Sequence, residues 1–380
     1  MNSLLFLIFW CAFVLVACIQ VFYYLYFFSR LAGYKVKEGN LPENDSLPLS
    51  VIICAKNEER NLQRNLPKIL QQHYQNPEHQ PQYEVVVVND NSEDDTSAVL
   101  QYLGPGYPHF HFVELQQSAK GIPGKKYPLT IGIKKSVYDT LVLTDADCKP
   151  AGTHWLELIA GKFNNGTEIV LGYGAYETRP GLLNKVIRFE TFFSAMQYLS
   201  FALAGIPYMG VGRNLAYKKE LFFRHKGFLS HADLPSGDDD LFINAAANKK
   251  NTTVIIDPEA ITYSEPKTSW GAWFRQKTRH LSTGKHYKPV HKFLLGLFSA
   301  SQFLYYPLFI LALFYRPIIY YTIGIFILRW IISGMIWSGA LKKLNEKNLF
   351  WYCIPLEMLM WLYYLIFTPA LMRKPKKSWN

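Results

Sequence analysis

The residues in this chain best suited to chemistry are carboxylates placed where apolar runs end. Asp145 and Asp147 follow the run Thr140 to Thr144 and stand two apart on an extended segment. Both side chains therefore lean to one face and can reach one cation. A hard ion such as Mg²⁺ or Mn²⁺ is commonly held by one or two carboxylates and completed by substrate phosphates. A D-x-D triplet alone is usually a solvated turn; its position after a buried strand is what marks this one. Ser236-Gly237-Asp238-Asp239-Asp240 precedes a helical run, Leu241 to Ala247. Acids there cap a helix and suit its dipole, and a carboxylate so placed can also serve as a general base. Gln276 and Arg279, with Arg275, Lys277 and His280, form a basic patch on a helix beginning near Ser269. Beside Trp270 and Trp273 that patch suits lipid phosphates; it equally suits a diphosphate whose leaving charge a guanidinium would stabilise. Lys120, Lys125 and Lys126 flank a Gly-Ile-Pro-Gly turn and are further phosphate candidates.

Other chemistries lack their signatures. The histidines make no HExxH or similar metal spacing, and neither GxGxxG nor GxxxxGK[ST] occurs, so Rossmann and P-loop phosphate cradles are missing. Cys11, Cys18, Cys54, Cys148 and Cys353 form no CxxC pair, which argues against a disulfide framework or a zinc site and predicts reduced thiols. Gly172-Tyr173-Gly174 and Gly210-Val211-Gly212 mark backbone crowding or bulges.

These residues need a scaffold that brings strand ends together. After a polar linker, Glu38 to Pro48, short β-rich runs alternate with helix-period segments. The predicted strands are Leu49 to Ala55, Tyr83 to Val88, His109 to Leu115 and Thr140 to Thr144. A helix capped by Asn57 carries Leu62, Leu66, Ile69 and Leu70 at helical spacing. Unbroken Val/Ile/Leu runs suit strands buried on both faces, and the alternation implies right-handed crossovers. The expected body is α/β, a doubly wound, mostly parallel sheet. Ligands bind such sheets outside the carboxyl ends of the strands, where Lys56-Asn57-Glu58, Asn89-Asp90 and Asp145-Ala146-Asp147 lie. The repetition points to a nucleotide site lined by acids.

Composition adds a membrane. With 49% hydrophobic and 18% charged residues, the chain is neither disordered nor a disulfide-stapled miniprotein. No charge occurs from Met1 to Ser29, and Leu4 to Phe28 exceeds the roughly 20 apolar residues a span requires. No Lys or Arg precedes this run, and it continues well past Cys18, so a retained helix is expected rather than a cleaved leader. Phe293 to Phe314, Ile318 to Ala340 and Phe350 to Leu371 are three further spans. Arg30, Lys35 and Lys37 place the body in the cytoplasm by the positive-inside tendency. The tail Arg373, Lys374, Lys376 and Lys377 would then lie outside unless one late segment is re-entrant or interfacial. Arg329 and Glu357 lie within apolar runs, where a lone charge costs about 2.5 kcal/mol or more; they form an ion pair or line an acceptor path. Pro180 to Pro207, with Lys185, Arg188 and Glu190, reads as an interfacial helix or a buried core helix. The net charge of +11 favours anionic lipid over nucleic acid, for which no binding module is present.

In their order, the runs Ser50 to Glu58, Val88 to Ser92, Gly124-Lys125-Lys126, Thr144 to Asp147, Gly212-Arg213-Asn214, Gly237-Asp238-Asp239 and Gln276 to Arg279 resemble glycosyltransferase family 2. The resemblance covers about residues 49 to 285, and the membrane frame is similar to that of ceramide glucosyltransferases and cellulose and hyaluronan synthases. It implies an inverting hexosyltransferase-type enzyme of GT-A fold. Ala55, Glu58 and Asp90 would border the base and ribose. Asp145 and Lys125 would contact the nucleotide-sugar, and Asp147 would hold Mg²⁺ or Mn²⁺. Asp239 would be the base, while Gln276 and Arg279 match a QxxRW motif in which His280 replaces the Trp. The implied organisation is a membrane helix at 1–29, a linker at 30–48, a cytoplasmic GT-A domain at 49–291, membrane helices at 292–372 and a basic tail at 373–380. The implied activity is transfer from a nucleotide-sugar, a UDP-sugar, to a lipid or glycan acceptor by a multi-pass cell-membrane protein. A processive polysaccharide synthase is the nearest alternative, and an inactive membrane scaffold or sugar transporter the alternative of another class.

Overall fold

The computed structural model describes residues 2–35, 47–117, 121–164 and 166–372. Lys37, most of the linker, Lys120 and the basic tail lie outside the described residues. Among the described residues ten strands form: β1 (Leu49–Ala55), β2 (Tyr83–Asp90), β3 (Phe110–Leu115), β4 (Thr140–Asp145), β5 (Cys148–Pro150), β6 (Ile169–Leu171), β7 (Gly174–Tyr176), β8 (Leu215–Lys218), β9 (Thr252–Val254) and β10 (Thr262–Ser264). Seven build the main sheet in the order β3-β2-β1-β4-β8-β6-β9, and β5-β10-β7 form a small second sheet. The first four run parallel, as their apolar runs predict, and every residue of β1 and β2 is buried. β8 is antiparallel to both its neighbours. The register places Ala55 opposite Asn89 and Cys54 opposite Asp145. β1, β2 and β4 therefore end at one level, and their polar ends share one sheet edge.

The first helix runs as α1 (Asn2–Phe22), a π-helical turn Tyr23–Phe28 and α2 (Ser29–Ala32). Around the sheet lie α3 (Glu59–Leu70), α4 (Thr96–Leu103), α5 (Lys126–Lys135), α6 (Trp155–Ala160), α7 (Leu182–Leu203), α8 (Lys219–Arg224), α9 (Asp240–Ala246) and α10 (Trp270–Leu281). The C-terminal part contains α11 (Pro289–Ala312), α12 (Ile319–Lys343), α13 (Phe350–Met358) and α14 (Met360–Met372). Asn57 does not cap α3 as expected. Its φ of 56° is left-handed, which asparagine tolerates, and its side chain accepts from the Glu93 amide at 2.8 Å, so Glu58 takes the cap position. Ser269 does cap α10, accepting from the Ala272 amide at 3.3 Å.

Among the described residues, three helices are long and apolar enough to cross a membrane: Leu4–Ala32, Pro289–Ala312 and Arg316–Lys343. The fourth expected span is a pair, Lys347–Met358 and Met360–Pro369, bent by 60°. α7 is a core helix between the sheet and this helical frame, and Arg188 and Glu190 on it are buried. Arg188 pairs with Glu346 and donates to Asn348 Oδ1 at 2.6 Å, in the turn joining α12 to α13. Glu190 pairs with Lys277 of α10, and Trp273 meets Phe367 of α14 edge-on at 5.7 Å. Body and frame are thus joined by buried charge as well as apolar packing.

Arg329 and Glu357 form an ion pair deep in the frame. Arg329 Nε also donates to Gln20 Oε1 at 2.7 Å, Tyr306 donates to Glu357, and the guanidinium lies over the rings of Tyr24, Tyr305 and Trp330. Of the two readings open from the sequence, this network matches the ion pair, linking α1, α11, α12 and α13. Removing one partner of a buried pair strands the other charge, at a cost of about 3–5 kcal/mol. Glu357→Ala should sharply lower the melting temperature of detergent-purified protein, whereas Arg329→Met with Glu357→Leu should recover most of it. A single variant as stable as the parent protein would contradict this role.

Candidate active site

A cavity of about 650 Å³ opens where the strand ends meet α9 and α10. Of the residues expected from the sequence, Glu58, Lys125, Asp145, Asp147, Asp239, Gln276 and Arg279 line it together. Ala55, fully buried, and Asp90 stand at the same edge but off the cavity lining. Asp90 lies 4.0 Å from Lys56, and its buried Oδ1 has no partner in the protein. Glu58 accepts from Asn61 Nδ2 at 2.5 Å, and burial pushes its carboxyl up to about 7.

Asp145, Asp147 and Cys148 bring their ligand atoms within 4.8 Å of one another. Burial works against the charge on Asp145, yet Lys125 at 2.7 Å holds its carboxyl below the ordinary range. Asp147 is shifted up, by burial and by the charge of Asp145. Burial and both carboxylates hold the Cys148 thiol well above its usual value, so it stays protonated, donating to Asp147 Oδ1 at 3.4 Å and sharing a hydrogen bond with Ser264 Oγ at 2.9 Å. A neutral thiol is a poor ligand. The usable donor set is two hard carboxylates facing open space, which fits a divalent cation completed by ligand oxygens.

The three consecutive acids divide their work. Asp238 lies 3.2 Å from Lys125, which so bridges it to Asp145. Burial opposes the charge on Lys125, but Asp145, Asp238 and Asp239 raise its pKa well above the lysine value. Asp240 accepts from the Leu241 amide at 2.8 Å, from Tyr287 at 2.8 Å and from Thr283, fastening α9 to the segment after α10. Asp239 caps α9, accepting from the Asp240 and Gly212 amides, both at 2.7 Å. Burial, then the charges of Asp238 and Asp240, push it up to about 7. A carboxylate with that proton affinity suits general base work near neutral pH.

Backbone geometry supports this arrangement. Gly124 has φ +77°, and a Cβ there would fall 2.5 Å from the Pro235 carbonyl, so only glycine lets the lysine-bearing turn approach the acidic loop. Lys126, a phosphate candidate in the sequence, instead donates to the carbonyls of Leu234 and Ser236 at 2.5 and 2.7 Å. It holds the loop that presents the acids.

On α10, Gln276 Nε2 donates to the Tyr176 hydroxyl at 3.2 Å and Arg279 faces the cavity. His280, where the motif has Trp, also lines it, on the exposed side of α10. Of the two tryptophans on α10, Trp273 lines the cavity, while Trp270 is exposed. Past them the cavity continues between α7, α11 and α14, along Ser194, Gln197, Gly296, Ser299, Met360 and Tyr363. Sequence reasoning missed this second arm, because helical periodicity does not reveal which helices leave a gap. It also left Arg213 without a role, although the residue lies in a quoted motif.

Residues 50–224 match the family described as glycosyl transferase family 2. A probable glycosyltransferase, YdaM, of Bacillus subtilis is 27% identical over 283 residues, covering 71% of this chain and 63% of its own length. A 4,4'-diaponeurosporenoate glycosyltransferase of Staphylococcus haemolyticus is 30% identical over 125 residues, 33% of this chain and 30% of the relative. The chain thus spans less than two thirds of either relative. Among solved structures, the mannosyltransferase PcManGT of Pyrobaculum calidifontis, in complex with GDP-Man and Mn²⁺, aligns with a TM-score of 0.55 at 17% identity, covering 96% of this chain and 99% of that one. That likeness concerns the fold.

The donor set makes a direct prediction. Asp147→Ala should abolish saturable Mn²⁺ binding, followed by electron paramagnetic resonance of the free ion, whereas Cys148→Ser should leave it unchanged. Loss of binding in the serine variant alone would move the site onto the thiol.

Proposed function

We propose that this chain, which belongs to glycosyltransferase family 2 and has the GT-A fold, transfers one sugar from a nucleoside-diphosphate sugar to a hydroxyl of a lipid or lipid-linked acceptor. One observation carries the reading: a single cavity joins the paired acids to Asp239 and then runs on between α7 and the helices of the membrane frame. The donor enters at the strand edge and the acceptor from the apolar side, and they meet beside Asp239. Positive charge at Arg30 after the first span favours a cytoplasmic body in a multi-pass membrane protein.

In this mechanism Ala55, Glu58 and Asp90 flank the nucleoside, a uridine in our reading, with Glu58 on the cavity wall and the other two behind it. Asp145 and Asp147 would hold a Mg²⁺ or Mn²⁺ ion, which when bound supplies positive charge to the diphosphate. Asp239 takes the proton of the acceptor hydroxyl. The oxygen bonds to the anomeric carbon as the carbon–oxygen bond to the diphosphate breaks on the opposite face, inverting that centre. Lys125 and Arg279 offset the charge gathering on the leaving group, and preorganised donors of this kind are worth about 3–4 kcal/mol each. Three adjacent carboxylates at the meeting point favour a neutral hydroxyl acceptor over an anionic phosphate, because like charges repel in a site of low dielectric.

The base assignment sets a pH profile. Asp239, at about 7, must be deprotonated to act, so kcat/KM should fall as pH drops through 7 rather than near the ordinary aspartate value of about 4. Glu58 has a similar proton affinity, and Glu58→Gln should weaken donor binding while keeping the limb. Asp239→Asn should bind donor normally and transfer nothing. A flat profile from pH 5 to 8, or active Asp239→Asn protein, would remove Asp239 as base. Membranes supplied with labelled UDP- and GDP-sugars should yield extractable lipid carrying one added sugar; a ladder of products would instead identify a processive synthase.

A further inference from the structure

Arg213, a cation of the cavity wall, has no part in the mechanism above, on which the following inference rests. Arg213 sits in the turn entering β8, closed by the Asn214 amide donating to the Val211 carbonyl at 2.9 Å. Its own carbonyl accepts from Thr144 Oγ1 at 3.0 Å and Thr262 Oγ1 at 2.9 Å, which ties the turn to β4 and to β10. A Cβ on Gly174 would lie 2.9 Å from the Arg213 Cβ, so the facing strand leaves room for this side chain. The backbone is therefore anchored from both sheets, and the side chain is directed into the cavity that holds Asp145 and Asp147.

There the guanidinium has no direct ion pair among the described residues, and Asp145 and Asp147 balance its charge only from a distance. It lies 4.3 Å over the Tyr176 ring, and a single terminal nitrogen donates to the Ala175 carbonyl at 3.2 Å and, at 3.5 Å, to Ser264 Oγ. Among the described residues no carboxylate stands within ion-pair distance of it. A guanidinium has five N–H donors in a planar fork, and a charge drawn out of water is normally paired. The remaining edge of the fork is built for an anion. Tyr176 is itself held through its hydroxyl by Gln276 Nε2. Gln276 thus supports the ring on which the guanidinium rests.

We propose that Arg213 binds the diphosphate of the donor nucleotide through the open edge of its guanidinium, and that Gln276 is a positioning residue that acts through Tyr176. Arginine suits the task because its fork meets two phosphate oxygens at once, which a lysine ammonium does not.

The test is calorimetric titration of the full chain in detergent with UDP and GDP in the presence of Mn²⁺, with uridine and guanosine as phosphate-free controls. Arg213→Met should weaken nucleoside-diphosphate binding about 10- to 100-fold and leave nucleoside binding unchanged. Arg213→Lys, which keeps the charge and most of the packing, should still bind less tightly than the parent and keeps the test valid where the methionine variant fails to fold. Gln276→Ala should cause a smaller loss, and the double variant Arg213→Met/Gln276→Ala should bind no more weakly than Arg213→Met alone, because the two act in series. Unchanged UDP and GDP binding in both Arg213 variants overturns the proposal, as does an equal loss for nucleosides, which would mark a purely structural arginine. Additive losses overturn the role of Gln276. Parent protein that binds neither nucleotide overturns the donor-site reading, and this inference with it; that outcome is distinct from parent binding that survives loss of Arg213.

Discussion

The site depends on charge balance inside a partly buried cavity. Glu58, Asp145, Asp147 and the run Asp238 to Asp240 share one space, and like charges repel strongly where water is scarce. Lys125 is the main counterweight, standing 2.7 Å from Asp145 and 3.2 Å from Asp238. It joins the acids after β4 to the acids before α9, which are nearly a hundred residues apart in sequence. What it leaves uncompensated is informative. Asp147 and Asp239 remain shifted towards protonation, the first in part by Asp145 and the second in part by its two neighbours. A cation at the first position and a proton acceptor at the second are the two ways to relieve that repulsion, and our mechanism uses both.

Much of this was legible before any coordinates. β1 has the predicted ends, and β2, β3 and β4 differ from prediction by one or two residues, because strands buried on both faces give unbroken apolar runs. The ends of those strands carried the acids, and the helix expected to begin near Ser269 is α10, which starts at Trp270. Other features had no local signal. β6, β7, β9 and β10 are three residues long, too short for periodicity to register. Asn57 resembled a cap because the preference of asparagine for caps and for left-handed backbone cannot be separated by type alone. Lys126 and Lys125 are adjacent and chemically alike, yet one holds a loop and the other balances acids. Only tertiary placement separates them.

The helical frame solves two problems at once. Burying Arg329 and Glu357 among apolar helices is costly for either alone, and their mutual pairing, with Gln20 and Tyr306, fixes how α1, α11, α12 and α13 meet. The same frame is then joined to the catalytic body through Arg188–Glu346, while Lys277–Glu190 ties α10 to α7 within the body. Trp273 against Phe367 sets α10 on α14, beside which the second arm of the cavity runs. A cavity shared between a polar sheet edge and long apolar helices is what the proposed reaction, between a charged, water-borne donor and an apolar acceptor, would require.

The most direct test of the central claim is an experimental structure of the full chain in lipid nanodiscs with Mn²⁺ and UDP, and separately GDP. The account predicts metal density between Asp145 and Asp147, the diphosphate between that ion and Lys125, Arg213 and Arg279, and lipid density reaching Asp239 between α11 and α14. Nucleotide bound away from the paired acids, or an acceptor arm closed off from the surrounding lipid, would contradict it.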